Sequence, residues 1–276
     1  MANILLIGGG QLGFSLAQTL AQSGHQVTVI KRTKIADYPG IRFIAADISD
    51  AHTLATLSIT ADAVFFIIAA DSRTEADYRK VYQTGLHNAL EKFSYCPWFF
   101  VSSTSVYGQD HGEWVDENST TQPKAITSQL LLQAEHQVLS ARSDNVIVRF
   151  AGIYGPGREY LLRLARSAPS IQQTPPYYTN RIHQKDAVAV LAFLLQQRLQ
   201  GADLDCCYLA CDNDPAPLWE VMQWLTTRLG CTPPLVKLSD ESTTQNKRCL
   251  NTRLTALGFE FVYPSYQSGY LELLHE

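Results

Sequence analysis

The first thirteen residues constrain this chain more than any other stretch. Ile4-Leu5-Leu6-Ile7 is an apolar run of the kind that forms a fully buried strand, and it stops at Gly8-Gly9-Gly10. Leu12, Leu16, Ala17, Leu20 and Ala21 then recur at helical spacing. Gly8, Gly10 and Gly13 therefore make G-x-G-x-x-G between a strand and a helix, the context in which that pattern signals a pyrophosphate-binding turn. Gly8 takes the positive φ of the turn, Gly10 lets the backbone approach the pyrophosphate, and Gly13 lets helix and strand pack closely. The amides at the helix start, at Gln11 and Leu12, face the anion. The competing reading is a glycine-rich turn with no ligand.

The rest of the chain repeats the strand-then-helix rhythm. Strands are expected at Gln26–Ile30, Ile41–Ala45, Asp62–Ala70, Pro97–Val101 and Val146–Ala151, with helical stretches near 50–58, 75–93 and 124–142. Asp62–Ala70 is nearly all apolar, as a central parallel strand buried on both faces should be. Such alternation means βαβ units, right-handed crossovers and a doubly wound parallel sheet, an α/β Rossmann fold. The second half is less regular. Gly155-Pro156-Gly157 and the loop Pro169–Asn180 interrupt the rhythm. Lys185–Leu199 reads as a helix, Asp205–Ala210 as a strand, and Leu218, Trp219, Met222 and Leu225 mark another helix. The expected division is a nucleotide-binding domain over 1–152 with contributions from about 181–210. A smaller α/β substrate lobe is expected from 153–180 and 211–276.

Bulk properties exclude several classes. The 276 residues are 46% hydrophobic and 17% charged, enough for a core and unlike a disordered chain. The net charge of −4 comes with no basic block, which argues against nucleic acid as a partner. No apolar run approaches a membrane span, and the N-terminus enters a strand at once without a basic leader, so a cytoplasmic protein is expected. The six cysteines show no C-x-x-C pair and the seven histidines are dispersed, so no metal site is expected. Cys206, Cys207 and Cys211 are expected to be buried thiols.

The end of the second strand decides between dinucleotides. An NAD-binding chain usually carries Asp or Glu there to accept from the ribose 2′-OH. Here Ile30-Lys31-Arg32 stands in that place, with Lys34 just after and no carboxylate before Asp37. A guanidinium suits a 2′-phosphate, so NADP(H) is favoured over NAD(H). A solvated basic turn is the plain alternative.

Further motifs carry a resemblance. They are Ala45-Ala46-Asp47, Ala69-Ala70, Ser102-Ser103-Thr104-Ser105-Val106-Tyr107-Gly108, the run Arg149–Gly157, Arg181–Ala187, and Leu257-Gly258-Phe259. With the opening glycine turn, they make the chain resemble the extended short-chain dehydrogenase/reductases, the NAD(P)-dependent epimerase/dehydratase family of nucleotide-sugar enzymes. The likeness is nearest to an atypical bacterial subgroup often called YeeZ-like. It covers nearly the whole chain and implies cofactor contacts at Asp47, Ala69 and Ala70 besides the glycine turn, Lys31 and Arg32. It also implies a dimer in many relatives, through two helices including 124–142, where Leu130, Leu131, Leu132 and Val138 are compatible with it.

The family's catalysis uses Ser/Thr and Tyr-x-x-x-Lys, and here the resemblance exposes a gap. Ser103 takes the Ser/Thr place. With Pro123 and Glu135 fixing the register, Thr127 falls in the Tyr place and Leu131 in the Lys place. An aliphatic hydroxyl cannot replace a tuned phenol in proton transfer, and leucine supplies no charge. Candidates for a displaced acid or base are Tyr107, Tyr154, His183 and Lys124, each with a plain packing or solvated role as its alternative. Tyr154, Arg158, Arg181 and Asn180 are candidates for holding a substrate, with arginine suited to phosphates. Three accounts remain: an oxidoreductase or epimerase acting on a nucleotide sugar or small carbonyl compound, a non-catalytic NADP(H)-binding redox sensor, and a scaffold with a vestigial cleft.

Overall fold

The computed structural model describes residues 1–33, 35–238 and 244–275; Lys34 and part of the polar stretch before Lys247 lie outside them. Seven strands form the main sheet: β1 (Asn3–Ile7), β2 (Gln26–Lys31), β3 (Ile41–Ala45), β4 (Ala63–Phe66), β5 (Trp98–Ser103), β6 (Val146–Phe150) and β7 (Cys207–Ala210). Their order is β7-β6-β5-β4-β1-β2-β3. Pairing is parallel from β3 through β2, β1 and β4 to β5. The chain builds outward on one side from β1 to β3, then crosses back and builds the other way from β4. The reversal falls between β1 and β4, which is where such sheets open a crevice at their carboxyl ends.

The strands form where apolar residues run, and their length is set by their partners. Ile7 pairs with Phe66, and beyond them Gly8 turns away at φ +119. With β1 gone, Ile67–Ala70 has no ladder to join, so β4 stops at Phe66 rather than continuing to Ala70 as expected. Phe65 stacks on Phe99 and Phe66 on Phe100, with ring centroids 4.8 and 5.4 Å apart, each pair directly opposite in the register of β4 and β5. Adjacent strands thus place one aromatic stack on each face of the sheet. Asn145, fully buried, ties the next layer: its Oδ1 accepts the Trp98 N–H at 2.8 Å and its Nδ2 donates to the Val138 carbonyl at 2.7 Å.

Helix α1 (Gln11–Gln22) buries Leu12, Leu16, Ala17 and Leu20 of the stripe read from the sequence, with Gly13 beside them, while Ala21 is half-buried. The expected helix over 75–93 contains an irregularity. Glu75–Arg79 and Leu86–Phe93 are α-helical, and Lys80–Gly85 between them is a π-turn. Gly85 permits this turn to lie against the β3 loop, because a β-carbon there would come within 2.6 Å of Ile48 Cδ1. Helix Ile126–Ala141 buries Leu130, Leu131 and Val138 and leaves Leu132 half-buried.

The chain forms two compact units. The first comprises 1–106, 122–149 and 188–208; the second comprises 107–121, 150–187 and 209–276. In the second unit short strands pair in parallel, Gly152–Tyr154 with Arg181–His183, Ser170–Gln172 with Leu235–Lys237, and Glu113–Val115 with Lys247–Cys249. Ser170–Gln172 and Tyr178–Thr179 fall inside the expected Pro169–Asn180 loop, where flanking prolines hide them in the sequence. The core of this unit gathers Tyr154, Leu162, Ile171, Val221, Met222, Leu225, Tyr266 and Tyr270. Cys207 and Cys211 are buried, as expected of thiols acting as small hydrophobes. Cys206, one residue before β7, is exposed, contrary to expectation.

Candidate functional site

The crevice at the strand reversal holds a cavity of about 330 Å³, entirely within the first unit. Four strand ends supply its wall. Gly8, Gly9 and Gly10 come from the end of β1, Ile30, Lys31 and Arg32 from β2, Ala46 and Asp47 from beyond β3, and Ile67, Ile68 and Ala69 from beyond β4. The glycines have different reasons to be glycine. A β-carbon on Gly8 would lie 2.2 Å from the Ile67 carbonyl oxygen, so the turn presses directly on the end of β4. At Gly10 a β-carbon would meet nothing within 4 Å, so its place is open space beside the cavity. Gly10 is also the N-cap of α1, and no side chain caps that helix end. A bare helix terminus over a roomy glycine turn fits a pyrophosphate, which backbone N–H groups and the helix dipole favour.

Gln11 is exposed at the helix start, while Leu12 and Gly13 are buried behind the turn. Ala70 is half-buried just beyond Ala69. Four charged residues of the cavity are already engaged with one another in two pairs. Arg32 grips Asp71 with both terminal nitrogens, each at 2.5 Å. Asp47 accepts from the Ser49 N–H and hydroxyl at 2.9 and 2.7 Å and from Lys80 Nζ at 3.1 Å. Burial works against ionisation of Asp47, yet the bonds from Ser49 and Lys80 hold its pKa below the usual carboxylate value. Lys31 lays its stem against Gly9, whose β-carbon would lie 3.2 Å from Lys31 Cδ.

Asp71, Asp77 and Lys80 were not singled out from the sequence, although all three line the cavity. Their pattern of charges there is that of an ordinary solvated helix start, and only the fold brings them to the end of β2. The π-turn is the one local signal, because it starts at Lys80, and such turns recur at functional sites.

At the end of β5 two neighbouring serines diverge. Ser102 is buried and donates its hydroxyl to Glu135 Oε1 at 2.5 Å, while Arg149 closes a pair with Glu135 Oε2 at 2.6 Å. Ser103 is half-buried, and its Oγ accepts the Ser105 N–H at 3.1 Å, leaving its own proton available for donation. Thr127 and Leu131 lie on helix Ile126–Ala141, with Leu131 buried. Glu135, which fixed their register, thus does structural work with Ser102 and Arg149. Lys124 is exposed just before that helix.

In the second unit, Tyr107 is fully buried and donates its phenol to the Asp116 carbonyl at 2.8 Å. Tyr154 is buried, stacked on Tyr270 at 4.5 Å, and its hydroxyl has no hydrogen-bond partner among the described residues. Burial pushes its pKa far up, so it is not a ready acid. Arg181 is 3% exposed, donates to the Thr179 hydroxyl and lies over the Tyr266 ring. Arg158 is half-buried beside Gly155, and burial lowers its pKa. Asn180 anchors the strand Lys247–Cys249, donating to the Lys247 carbonyl and accepting the Cys249 N–H. His183 is wholly buried against Tyr263; burial lowers its pKa, and Glu272 opposes that.

Two buried ionisable groups of this unit escaped the sequence reading. Asp212 is 1% exposed, and burial lifts its pKa to about 8. Lys247 is 2% exposed with its ammonium on the amide oxygen of Gln245, and burial brings its pKa down to about 8. Gln245 itself sits at φ +66, a left-handed conformation uncommon outside glycine, and its amide nitrogen donates to the Tyr107 carbonyl. Among the described residues no three of His, Cys, Asp and Glu converge as metal ligands, and no helix is long and apolar enough to cross a membrane.

A doubly wound parallel sheet with a glycine turn and an open cavity at its strand reversal defines a nucleotide-binding protein of the Rossmann class. Within that class the chain belongs to the NAD-dependent epimerase/dehydratase family, whose model matches residues 4–200. A candidate NAD-dependent epimerase/dehydratase from Methylobacillus flagellatus is 34% identical, with a TM-score of 0.82 over 99% of this chain and 98% of that one. Two more distant structures share the fold. The dTDP-glucose 4,6-dehydratase of Bacillus anthracis, in complex with NAD, is 17% identical with a TM-score of 0.79, covering 100% of this chain and 96% of its own. The UDP-glucose 4-epimerase of Thermotoga maritima, with UDP-glucose, is 18% identical with a TM-score of 0.77, covering 99% and 100%. No curated protein matches the sequence at a significant level.

Proposed function

We propose that the chain binds NADP(H), with NAD(H) as the second coenzyme, and performs oxidoreductase or epimerase chemistry on a nucleotide sugar or a small carbonyl compound. The observation that carries this reading is the space at Gly10: a cavity wall of bare backbone beside an uncapped helix start. In it Gly8, Gly10 and Gly13 shape the turn, the amides of Gln11 and Leu12 meet the pyrophosphate, and Asp47, Ala69 and Ala70 flank the adenosine. Lys31 and Arg32, in place of the carboxylate that would accept a 2′-hydroxyl, support a 2′-phosphate. The bound coenzyme would supply or accept hydride. Ser103, oriented by the Ser105 N–H, donates a hydrogen bond to the reacting oxygen of the substrate. Arg158 and Arg181 are the cations suited to a sugar nucleotide's phosphates.

Thr127 and Leu131 support a second reading, a redox sensor that binds the coenzyme without turnover, because the general acid–base pair contributes about 10²–10⁴ in rate where it is present. One experiment separates the two. NADPH and NADH are titrated by fluorescence, and a panel of nucleotide sugars and small aldehydes is then followed by absorbance and by isomer exchange. Turnover lost in Ser103→Ala is the expected result. Tight NADPH binding with no turnover across the panel would replace the enzyme by the sensor, and no binding of either coenzyme would end both readings.

A further inference from the structure

Arg32 and Asp71 reach the same cavity from different strands, Arg32 from just past β2 and Asp71 from the segment after β4. They meet fork on fork, Nη1 to Oδ2 and Nη2 to Oδ1, the geometry in which a guanidinium binds a carboxylate or a phosphate best. Both side chains keep more than half of their exposure, 59% and 57%, so the pair is reachable from solvent and can open. The second cation nearby, Lys80, is likewise held by a carboxylate, Asp47. Among the described residues the cavity therefore offers a 2′-phosphate no cation that is not already neutralised at this edge, apart from Lys31 beside Gly9. A carboxylate is missing from the end of β2 and yet arrives there from the neighbouring segment, on the very guanidinium that a phosphate would use.

We propose that Asp71 is a coenzyme-selecting residue: its carboxylate competes with a ribose 2′-phosphate for Arg32, so that NADPH binding opens the pair and NADH binding leaves it closed. The proposal rests on the coenzyme reading given above. Competition follows from geometry, because the two terminal nitrogens that face Asp71 are those a phosphate would take bidentately. Charge adds to it. Once displaced, the Asp71 carboxylate remains near a dianion, and like charges at that range repel. The 2′-hydroxyl of NADH carries no charge and asks nothing of the guanidinium.

The test measures equilibrium binding of NADPH and NADH to the full chain, unaltered and as Asp71→Asn, Arg32→Ala and the double variant. Asp71→Asn keeps the shape and removes the charge, at an exposed position where the fold does not depend on it. Breaking an exposed pair of this kind is worth up to about fivefold in an equilibrium constant, so Asp71→Asn should tighten NADPH by about fivefold and change NADH by less than about twofold. The gain should shrink as salt is raised and vanish in the Arg32→Ala background. If both coenzymes bind the unaltered chain but Asp71→Asn leaves their affinity ratio where it was, or shifts both alike, the selecting role is overturned while the coenzyme reading stands. If neither coenzyme binds the unaltered chain, both fall.

Discussion

A β-carbon on Gly13 would stand 2.1 Å from the carbonyl oxygen of Gly8. The first helix is thus pressed against the turn that precedes it, and the obstacle is backbone that cannot rotate aside. Gly13→Ala is expected to lose about 1–3 kcal/mol in a urea melt, as overpacked sites do, and to weaken coenzyme binding by moving the helix start. Gly10→Ala is the contrasting case. Its β-carbon would meet no protein atom within 4 Å, so the melt should change little while NADPH fluorescence titration shows weaker binding.

Glu135 carries the hydroxyl of Ser102 and the guanidinium of Arg149, all three out of solvent. Removing the carboxylate leaves a buried cation without compensation, a change that costs about 3–5 kcal/mol. Glu135→Ala should lose stability of that order by chemical denaturation. Replacing Glu135 and Arg149 together with apolar residues of similar volume should recover most of it, because the pair's desolvation cost disappears with it.

Asp212 gives the fold a pH dependence of unusual sign. Burial raises its pKa from 3.8 to about 8, so between those values the folded chain holds a proton that the unfolded chain has released. Its contribution to stability therefore falls as pH rises through that window, by up to about 1.4 kcal/mol per unit, and levels off above about pH 8. Asp212→Asn lacks this slope. Unfolding free energies of the two proteins, compared at about pH 5 and about pH 8, should show the variant gaining on the parent at the higher pH.

Lys247 holds a buried ammonium against a neutral amide, and among the described residues no carboxylate is its hydrogen-bond partner. An apolar side chain of similar length should suit that place better. Lys247→Met is expected to stabilise the fold by about 1–2 kcal/mol near pH 7. The folded pKa of about 8 lies below the ordinary 10.5, so the parent gains stability as pH rises between them, and the advantage of the variant should narrow over that range. Thermal melts across pH would read both effects.

The sheet was legible because its strands are continuous apolar runs and its turns are glycines. Every strand of the main sheet appears where the periodicity places it, and the glycine turn lies at the strand reversal. What failed depended on partners. The over-extension of β4 to Ala70 came from reading apolar residues without knowing that Gly8 leaves the ladder. The short strands Ser170–Gln172 and Tyr178–Thr179 are too brief for any period to register, and Cys206 is exposed although its neighbour Cys207 is buried. At the candidate site Lys31 and Arg32 were legible by their place at the end of the second strand, and Asp47 by the resemblance that its stretch carries. Asp71 and Lys80 were not, since each becomes part of the cavity only through a residue far away in the chain. The burial of Arg181, His183 and Asp212 together was likewise invisible, because charged residues are read as solvated until packing says otherwise.

The π-turn at Lys80–Gly85 leaves the helical segments on either side out of phase. With 3.6 residues to a turn, one additional residue rotates everything downstream by about 100° relative to what came before. Glu75–Arg79 leans on Ile126–Ala141, while Leu86–Phe93 leans on Ala51–Thr56. Shortening the wide turn by a single residue would preserve a continuous helix and yet swing one end of it out of its berth, carrying the Lys80 ammonium away from Asp47.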